Sequence, residues 1–184
     1  KEVDWLVPRM HLGLHNGTLG NIRAILYAGL TFPEAKNGAF WQNEGLSTFK
    51  GFLNSYFYPG EVSVELALGY SAAVLGQCLT IFAGLPDTLT SGLRAPLEKL
   101  VDGHFGLMKP DRSLPRYGDH GAYDIRPIFL QQAAELFERQ DWHDIAAGKN
   151  QPAPPPYLSW PAQSRPYFLS GYYAMRDGWR ENDQ

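Results

Sequence analysis

Ser170-Gly171-Tyr172-Tyr173-Ala174-Met175-Arg176-Asp177-Gly178-Trp179 closes a chain of 184 residues that otherwise reads as helix after helix. From Tyr167 to Arg176 the aromatic enrichment is that of a β-strand, since flat, bulky side chains pack well on a pleated surface. This strand reads as the start of something new. The chain is expected to hold most of one domain plus the first strand of another, as a piece of a longer protein.

Immediately before the strand, residues 149–166 carry five prolines between Pro152 and Pro161, and then Pro166. Proline fixes φ and donates no backbone N–H, so this stretch reads as a stiff, extended linker. The expected organisation is a helical domain over 1–148, a Pro-rich linker over 149–166, and the start of a β-sandwich over 167–184.

The helical part has clear punctuation. Residues 16–30 place Ile22, Ile25, Leu26, Gly29 and Leu30 on one face, with Asn16 suited to cap the helix and Phe32-Pro33 to end it. Residues 39–58 carry an apolar stripe of Leu46, Phe49, Phe52, Leu53 and Tyr56, broken by Pro59-Gly60. A third helix is expected over 62–82, with Leu66, Tyr70, Ala73, Val74, Gln77 and Ile81 on its stripe. Leu93, Leu97, Leu100 and Val101 mark a fourth, closed by Gly103. Residues 104–123, rich in Gly, Pro and charge, read as a long loop of the kind that often carries function. A fifth helix follows, capped by Asp124, with Pro127 in its first turn and Ile128, Phe129, Leu136 and Phe137 on its apolar face. Helices joined by short turns, without heptads, argue against a coiled coil, and the lack of a fixed repeat weakens a solenoid, which stays open beside the other helical architectures. They suit paired antiparallel helices, as in a bundle or an α/α toroid.

Composition narrows the function. A net charge of −3 gives no general basic field for nucleic acid or an anionic membrane, although a local basic groove is compatible with it. No apolar run is long enough to span a bilayer. The lone Cys78, among Leu75, Leu79 and Ile81, reads as a buried structural thiol with no neighbouring charge to activate it.

Three constellations could carry chemistry. His15-Asn16 stands at the head of a helix, where an amide can bind a carboxylate and the free N–H groups favour anions; the plainer reading is an N-cap beside a surface histidine. Glu65-Leu66-Ala67-Leu68-Gly69-Tyr70 places a hydroxyl next to a glycine, either a core tyrosine or one aimed into a cleft. The loop supplies Lys109, Arg112, Arg116, Tyr117, Asp119, His120, Tyr123 and Arg126. Forked guanidinium donors and flat rings suit an acidic sugar chain, though ordinary ion pairs on a solvated loop would use the same residues. Nothing has the spacing of a phosphate loop, a zinc site or a nucleophile elbow.

Taken in order, these segments resemble the heparinase II/III-like polysaccharide lyases. Asn16 with Leu26-Tyr27-Ala28-Gly29-Leu30-Thr31-Phe32-Pro33-Glu34 is similar to the family helix that starts at an Asn and ends in a Gly-x-x-Phe-Pro-Glu turn. Residues 65–70 are similar to its Glu-x-Ser-x-x-Tyr helix. Residues 170–179 resemble its Gly-Tyr-Tyr-x-Met-Arg-x-Gly-Trp strand, and Tyr117-Gly118-Asp119 a Gly-Asp near its cleft. The chain departs from the family at Gly17, where many relatives have His, at Ala67, where they have Ser, and at Ser71, where many have His.

The resemblance implies a mainly α fold: an incomplete (α/α) toroid of antiparallel helix pairs, followed by the first strand of an antiparallel β-sandwich domain. It implies a lyase that cleaves a uronic-acid polysaccharide by β-elimination. Asn16 would neutralise the uronate carboxylate, and Tyr70 would act as acid and, with a basic neighbour, as base, with His15 beside them. Arg112, Arg116, Tyr117, Asp119, His120, Arg126 and Glu65 would bind substrate, and Arg176 would brace the domain interface. The expected partners are an acidic polysaccharide and the rest of the β-sandwich, with no nucleic acid and no membrane span. No cofactor is evident, and a metal in the rest of the β-domain stays open. The family habit implies a bacterial periplasmic or secreted enzyme, of which this piece alone is expected to be inactive. Two competitors remain: a glycoside hydrolase using two carboxylates among Glu65, Asp119 and Asp124, and a non-catalytic protein that binds acidic glycans.

Overall fold

The computed structural model describes residues 2–9, 13, 15–109, 113–118, 129–147 and 165–175. They fall into two compact units, one formed by Lys1–Tyr56 and one by Phe57–Gln184.

The first unit contains helices α1 (Glu2–Leu6), α2 (Asn16–Thr31) and α3 (Gly38–Tyr56), with a short 3-10 turn at Val7–Arg9. Helices α2 and α3 pack antiparallel at unusually close range, because glycines face backbone across the contact. A Cβ on Gly29 would stand 2.4 Å from the Gln42 nitrogen, and one on Gly45 would stand 2.8 Å from the Leu26 Cα. Leu19, Ile22, Ile25 and Leu26 of α2 and Phe49, Phe52 and Leu53 of α3 are buried. Helix α1 was not expected. Its Asp4 carboxylate accepts hydrogen bonds from Asn37 Nδ2 (2.8 Å) and Trp41 Nε1 (2.9 Å) at the start of α3, and these bonds hold its pKa below the usual carboxylate value.

The second unit contains α4 (Leu68–Ala83), α5 (Arg94–Leu107), α6 (Phe129–Phe137) and α7 (Gln140–Ala146), then strands β1 (Arg165–Tyr167) and β2 (Tyr172–Ala174). Phe82 stacks on Phe137, and Phe137 meets Trp142 edge-on. Arg139 covers the Trp142 ring at 4.3 Å while bonding Glu98 and Asp141. Cys78 is fully buried, as expected, and burial pushes its thiol pKa well up.

Several boundaries differ from the sequence reading. The third expected helix starts at Leu68 rather than at residue 62. Residues 57–63 instead form a reversal at Pro59-Gly60 with an antiparallel bridge between Phe57 and Ser63. Leu66 then adopts a left-handed φ of 55°, which no helix can contain. The buried stripe consequently moves to Leu68, Leu75, Cys78 and Leu79 together with Val74 and Ile81, and Leu66, Tyr70 and Ala73 face solvent. Gly103 does not close the fourth helix. It lies inside α5 because the Gly60 carbonyl would sit only 2.3 Å from a Cβ there, so the glycine serves close approach. The expected loop therefore begins after Leu107, and His104 is a buried helical residue.

The single expected strand is a hairpin. β1 and β2 pair antiparallel with Tyr167 opposite Tyr172, joined by a turn in which Gly171 has φ +76° and donates to the Tyr167 carbonyl at 2.8 Å. Helix α7 was missed, and the cap and first turn expected at Asp124, Pro127 and Ile128 lie outside the described residues.

Candidate functional site

In the first unit, Asn16 is the first residue of α2 rather than its cap. The cap position belongs to His15, which is extended (φ −145°, ψ 164°) and makes no side-chain capping bond. Both side chains are exposed. The His15 ring folds back over Gly17, where a Cβ would stand 3.0 Å from His15 Cε1 and Nδ1. The Thr18 hydroxyl donates to the Gly13 carbonyl at 2.7 Å and lies 3.4 Å from His15 Nε2. The exposed imidazole of residue 15 thus packs close beside the point where a side chain at 17 would begin. The exposed amide of Asn16 and the free N–H groups of the first turn of α2 suit a carboxylate.

In the second unit, two distant stretches converge on the segment leading into α4. Tyr70 stands in the first turn of that helix and is 42% exposed, so it is no core tyrosine. Glu65 is exposed just upstream, in a turn rather than on the helix that was expected. Against this segment lies Gly118 (φ +75°), where a Cβ would be 3.0 Å from the Ala67 Cα. The Tyr172 hydroxyl donates to the Leu66 carbonyl at 2.6 Å, and the Tyr172 ring stacks on Tyr117 with centroids 5.6 Å apart. The motifs around residues 65–70, 117–118 and 171–172 therefore meet in space.

The other two departures from the family pattern are at Ala67 and Ser71. Ala67 is buried, and its methyl group faces the side of Gly118 that carries no side chain. Ser71 faces the opposite way from Tyr70, into the core, where its oxygen accepts from the Ser63 N–H at 2.8 Å and meets His104 Nε2 at 2.7 Å. His104 Nδ1 faces the Leu100 carbonyl at 2.8 Å and must carry the proton, so Nε2 accepts from Ser71. Burial pushes the His104 pKa down to about 4. This Ser–His pair is shut away from solvent and is structural.

The hairpin is tied down by residues that sequence reasoning missed. The buried Glu61 carboxylate accepts from the backbone N–H groups of Leu169 (3.1 Å) and Ser170 (2.7 Å). The Tyr167 hydroxyl donates to the Gly103 carbonyl at 2.7 Å. The available signal for Glu61 was its place directly after the Pro59-Gly60 turn. Beside the hairpin lies a cleft of about 420 Å³, bordered by Lys109, Pro115, Tyr117, Tyr172, Tyr173 and Met175. Of the expected substrate contacts, Tyr117 lines this cleft and Arg116 is exposed next to it in sequence. Arg112, Asp119, His120 and Arg126 lie outside the described residues, as do Tyr123 and Arg176. Among the described residues no cluster of His, Cys, Asp or Glu could hold a metal ion, and no helix is long and apolar enough to cross a membrane.

Residues 10–143 match the family model described as Heparinase II/III N-terminus. The chain belongs to the heparinase II/III family. Among curated relatives of this heparinase II/III member, a heparin-sulfate lyase of Pedobacter heparinus is 24% identical across 94% of this chain and 27% of its own length. A heparin-sulfate lyase of Bacteroides stercoris is 22% identical across 89% of this chain and 25% of its own length. The chain thus spans about a quarter of these relatives. Among solved structures, a mutant heparan sulfate lyase of Pedobacter heparinus superposes with a TM-score of 0.72 at 22% identity, covering 98% of this chain and 29% of that one. A heparinase III structure gives 0.68 at 19% identity, covering 98% and 30%. The mainly α fold of the heparinase toroid, expected from the sequence, holds for this chain.

Proposed function

We propose that the protein to which this chain belongs is a polysaccharide lyase that cleaves a uronic-acid polymer by β-elimination, with a heparan-type chain as the first substrate to test. The family match and the names of the curated relatives support this reading. The observation that carries it is Tyr70: a tyrosine on a buried helix that nonetheless presents its side chain to solvent in the first turn.

The chemistry assigns a role to each residue. A base removes the C5 proton of the uronate, the electron pair forms the C4=C5 double bond, and the C4–O bond breaks with its electrons on the leaving oxygen. Tyr70 is the acid that protonates this oxygen. Asn16, with the N-terminal N–H groups of α2, neutralises the carboxylate so that charge can build at C5. His15 is the candidate for support of Asn16 from the neighbouring position. Arg116 and Tyr117 are candidate sugar contacts, joined in the proposal by Arg112, Asp119, His120, Arg126 and Glu65 from the sequence reading.

The isolated chain is proposed to be inactive, because part of the site belongs to the remainder of the β-domain. A polymer too large to enter a cell also suggests a periplasmic or secreted enzyme. The test uses the full-length protein, a panel of uronans and the ultraviolet absorbance of unsaturated ends, with Tyr70→Phe in parallel. Absorbance that rises with one polymer and is lost in Tyr70→Phe supports the reading. New reducing ends without absorbance would replace it with a hydrolase.

A further inference from the structure

Leu66 is a bulky residue held at a left-handed φ of 55°, four residues before Tyr70. That conformation is intrinsically unfavourable for leucine and persists only where its surroundings impose it. Three contacts impose it here. The Leu66 N–H donates to the Ser63 carbonyl at 3.0 Å. Gly118 packs on the Ala67 backbone so closely that a Cβ on it would stand 3.0 Å from the Ala67 Cα. The Leu66 carbonyl accepts from the Tyr172 hydroxyl at 2.6 Å, from a residue 106 positions further along the chain. Tyr172 is in turn fixed by its stacking on Tyr117 and by the hairpin that Glu61 anchors.

This turn matters for chemistry because Tyr70 is not held by core packing. Its direction follows the first turn of α4, which the buried Leu68 and Ser71 hold from the core side and which residues 66–67 lead into. We propose that Tyr172 is a positioning residue for Tyr70, acting through the Leu66 carbonyl to hold the left-handed turn that aims the first turn of α4. The proposal rests on the lyase reading given above and adds to it a residue from the β-hairpin whose hydroxyl is bonded to the backbone four residues before Tyr70.

The test uses the full-length protein with the uronan it cleaves, and compares wild type, Tyr172→Phe, Tyr172→Phe/Leu66→Asn and Tyr70→Phe. Tyr172→Phe keeps the stacked ring and loses only the hydroxyl. It is expected to lower kcat roughly tenfold with KM unchanged, since the interaction aligns a group used in the transition state. Hydrogen exchange at the backbone amides of residues 66–71 is expected to speed up. Asparagine tolerates the left-handed region far better than leucine, so the double variant is expected to recover most of the lost kcat, which a merely structural role would not produce. Wild-type kcat in Tyr172→Phe overturns the proposal, as does a loss of kcat that Leu66→Asn fails to rescue. A parent protein that releases no unsaturated ends from any uronan overturns the lyase reading, and the role of Tyr172 falls with it. An active parent with an unaffected Tyr172→Phe overturns the role of Tyr172 alone.

Discussion

The Ser71 hydroxyl donates to the His104 imidazole at 2.7 Å, and both side chains are fully buried. The residue directly after the exposed Tyr70 thus belongs to the core, and its partner is a histidine kept neutral by burial, which outweighs the opposing effect of its bond to the Leu100 carbonyl.

Stability should therefore depend on His104 in acid. Its pKa falls from the ordinary 6.5 to about 4 on folding. The unfolded chain takes up the proton first, so the contribution is complete above about pH 6.5 and is lost as pH falls towards 4. The full effect would reach roughly 3 kcal/mol. Asp102 acts in the opposite sense: burial raises its pKa to about 7, against the pull of Arg139 and Trp142, so it favours the fold as pH falls from 7. The diagnostic quantity is the difference in urea unfolding free energy between wild type and His104→Gln. That difference should shrink between pH 6.5 and 4, and a constant difference would refute the assignment.

Glu61 should govern the hairpin. Its two oxygens accept from Leu169 and Ser170 across a sequence separation of more than a hundred residues. Glu61→Ala leaves both N–H groups without this acceptor and should cost about 1–3 kcal/mol. Faster amide exchange over residues 167–172 should accompany the loss, with Glu61→Gln intermediate. Unchanged exchange in Glu61→Ala would show that the turn is held by other contacts.

The α2–α3 contact should not accept a side chain at Gly29. A Cβ there meets the Gln42 backbone nitrogen at 2.4 Å, and backbone has nowhere to retreat without parting the helices. Gly29→Ala gains helix propensity but overpacks the interface, for a net loss of about 1–3 kcal/mol. Calorimetry showing equal or greater stability would contradict this packing.

Arg116, exposed beside the tyrosine that lines the cleft, should contribute to binding rather than to the chemical step. Arg116→Ala should raise KM several-fold and leave kcat within about twofold, the pattern of uniform binding. Steady-state kinetics showing a loss confined to kcat would move Arg116 into the reaction itself.

The helices built on local periodicity were legible. Ile22, Ile25, Leu26 and Gly29 face inward as the 3.6-residue pattern demands. What escaped the sequence depends on distant partners. The stretch 62–67 has a helical pattern, yet Ser63 bridges to Phe57 and the Leu66 carbonyl is bonded by Tyr172, so tertiary contacts override propensity. Setting the helical frame from residue 62 placed Tyr70 on the core stripe, whereas the true frame from Leu68 turns it outward. Gly103 carries the composition of a helix end but serves the approach of Gly60. The tyrosines of residues 172 and 173 read correctly as strand, but the turn before them is capped by Glu61, which no local pattern reveals. For the candidate site, Asn16 and Tyr70 could be picked out as residue types in a pattern, and the convergence of Gly118 and Tyr172 on the segment before Tyr70 could not.

Elimination and hydrolysis part cleanly when the full-length protein is run on a heparan-type polymer in heavy-oxygen water and the products are weighed. Elimination adds no water, so the products should carry ultraviolet-absorbing unsaturated ends and no heavy oxygen from the solvent at the cleaved bond. Saturated products that carry one heavy oxygen for each bond broken would contradict it.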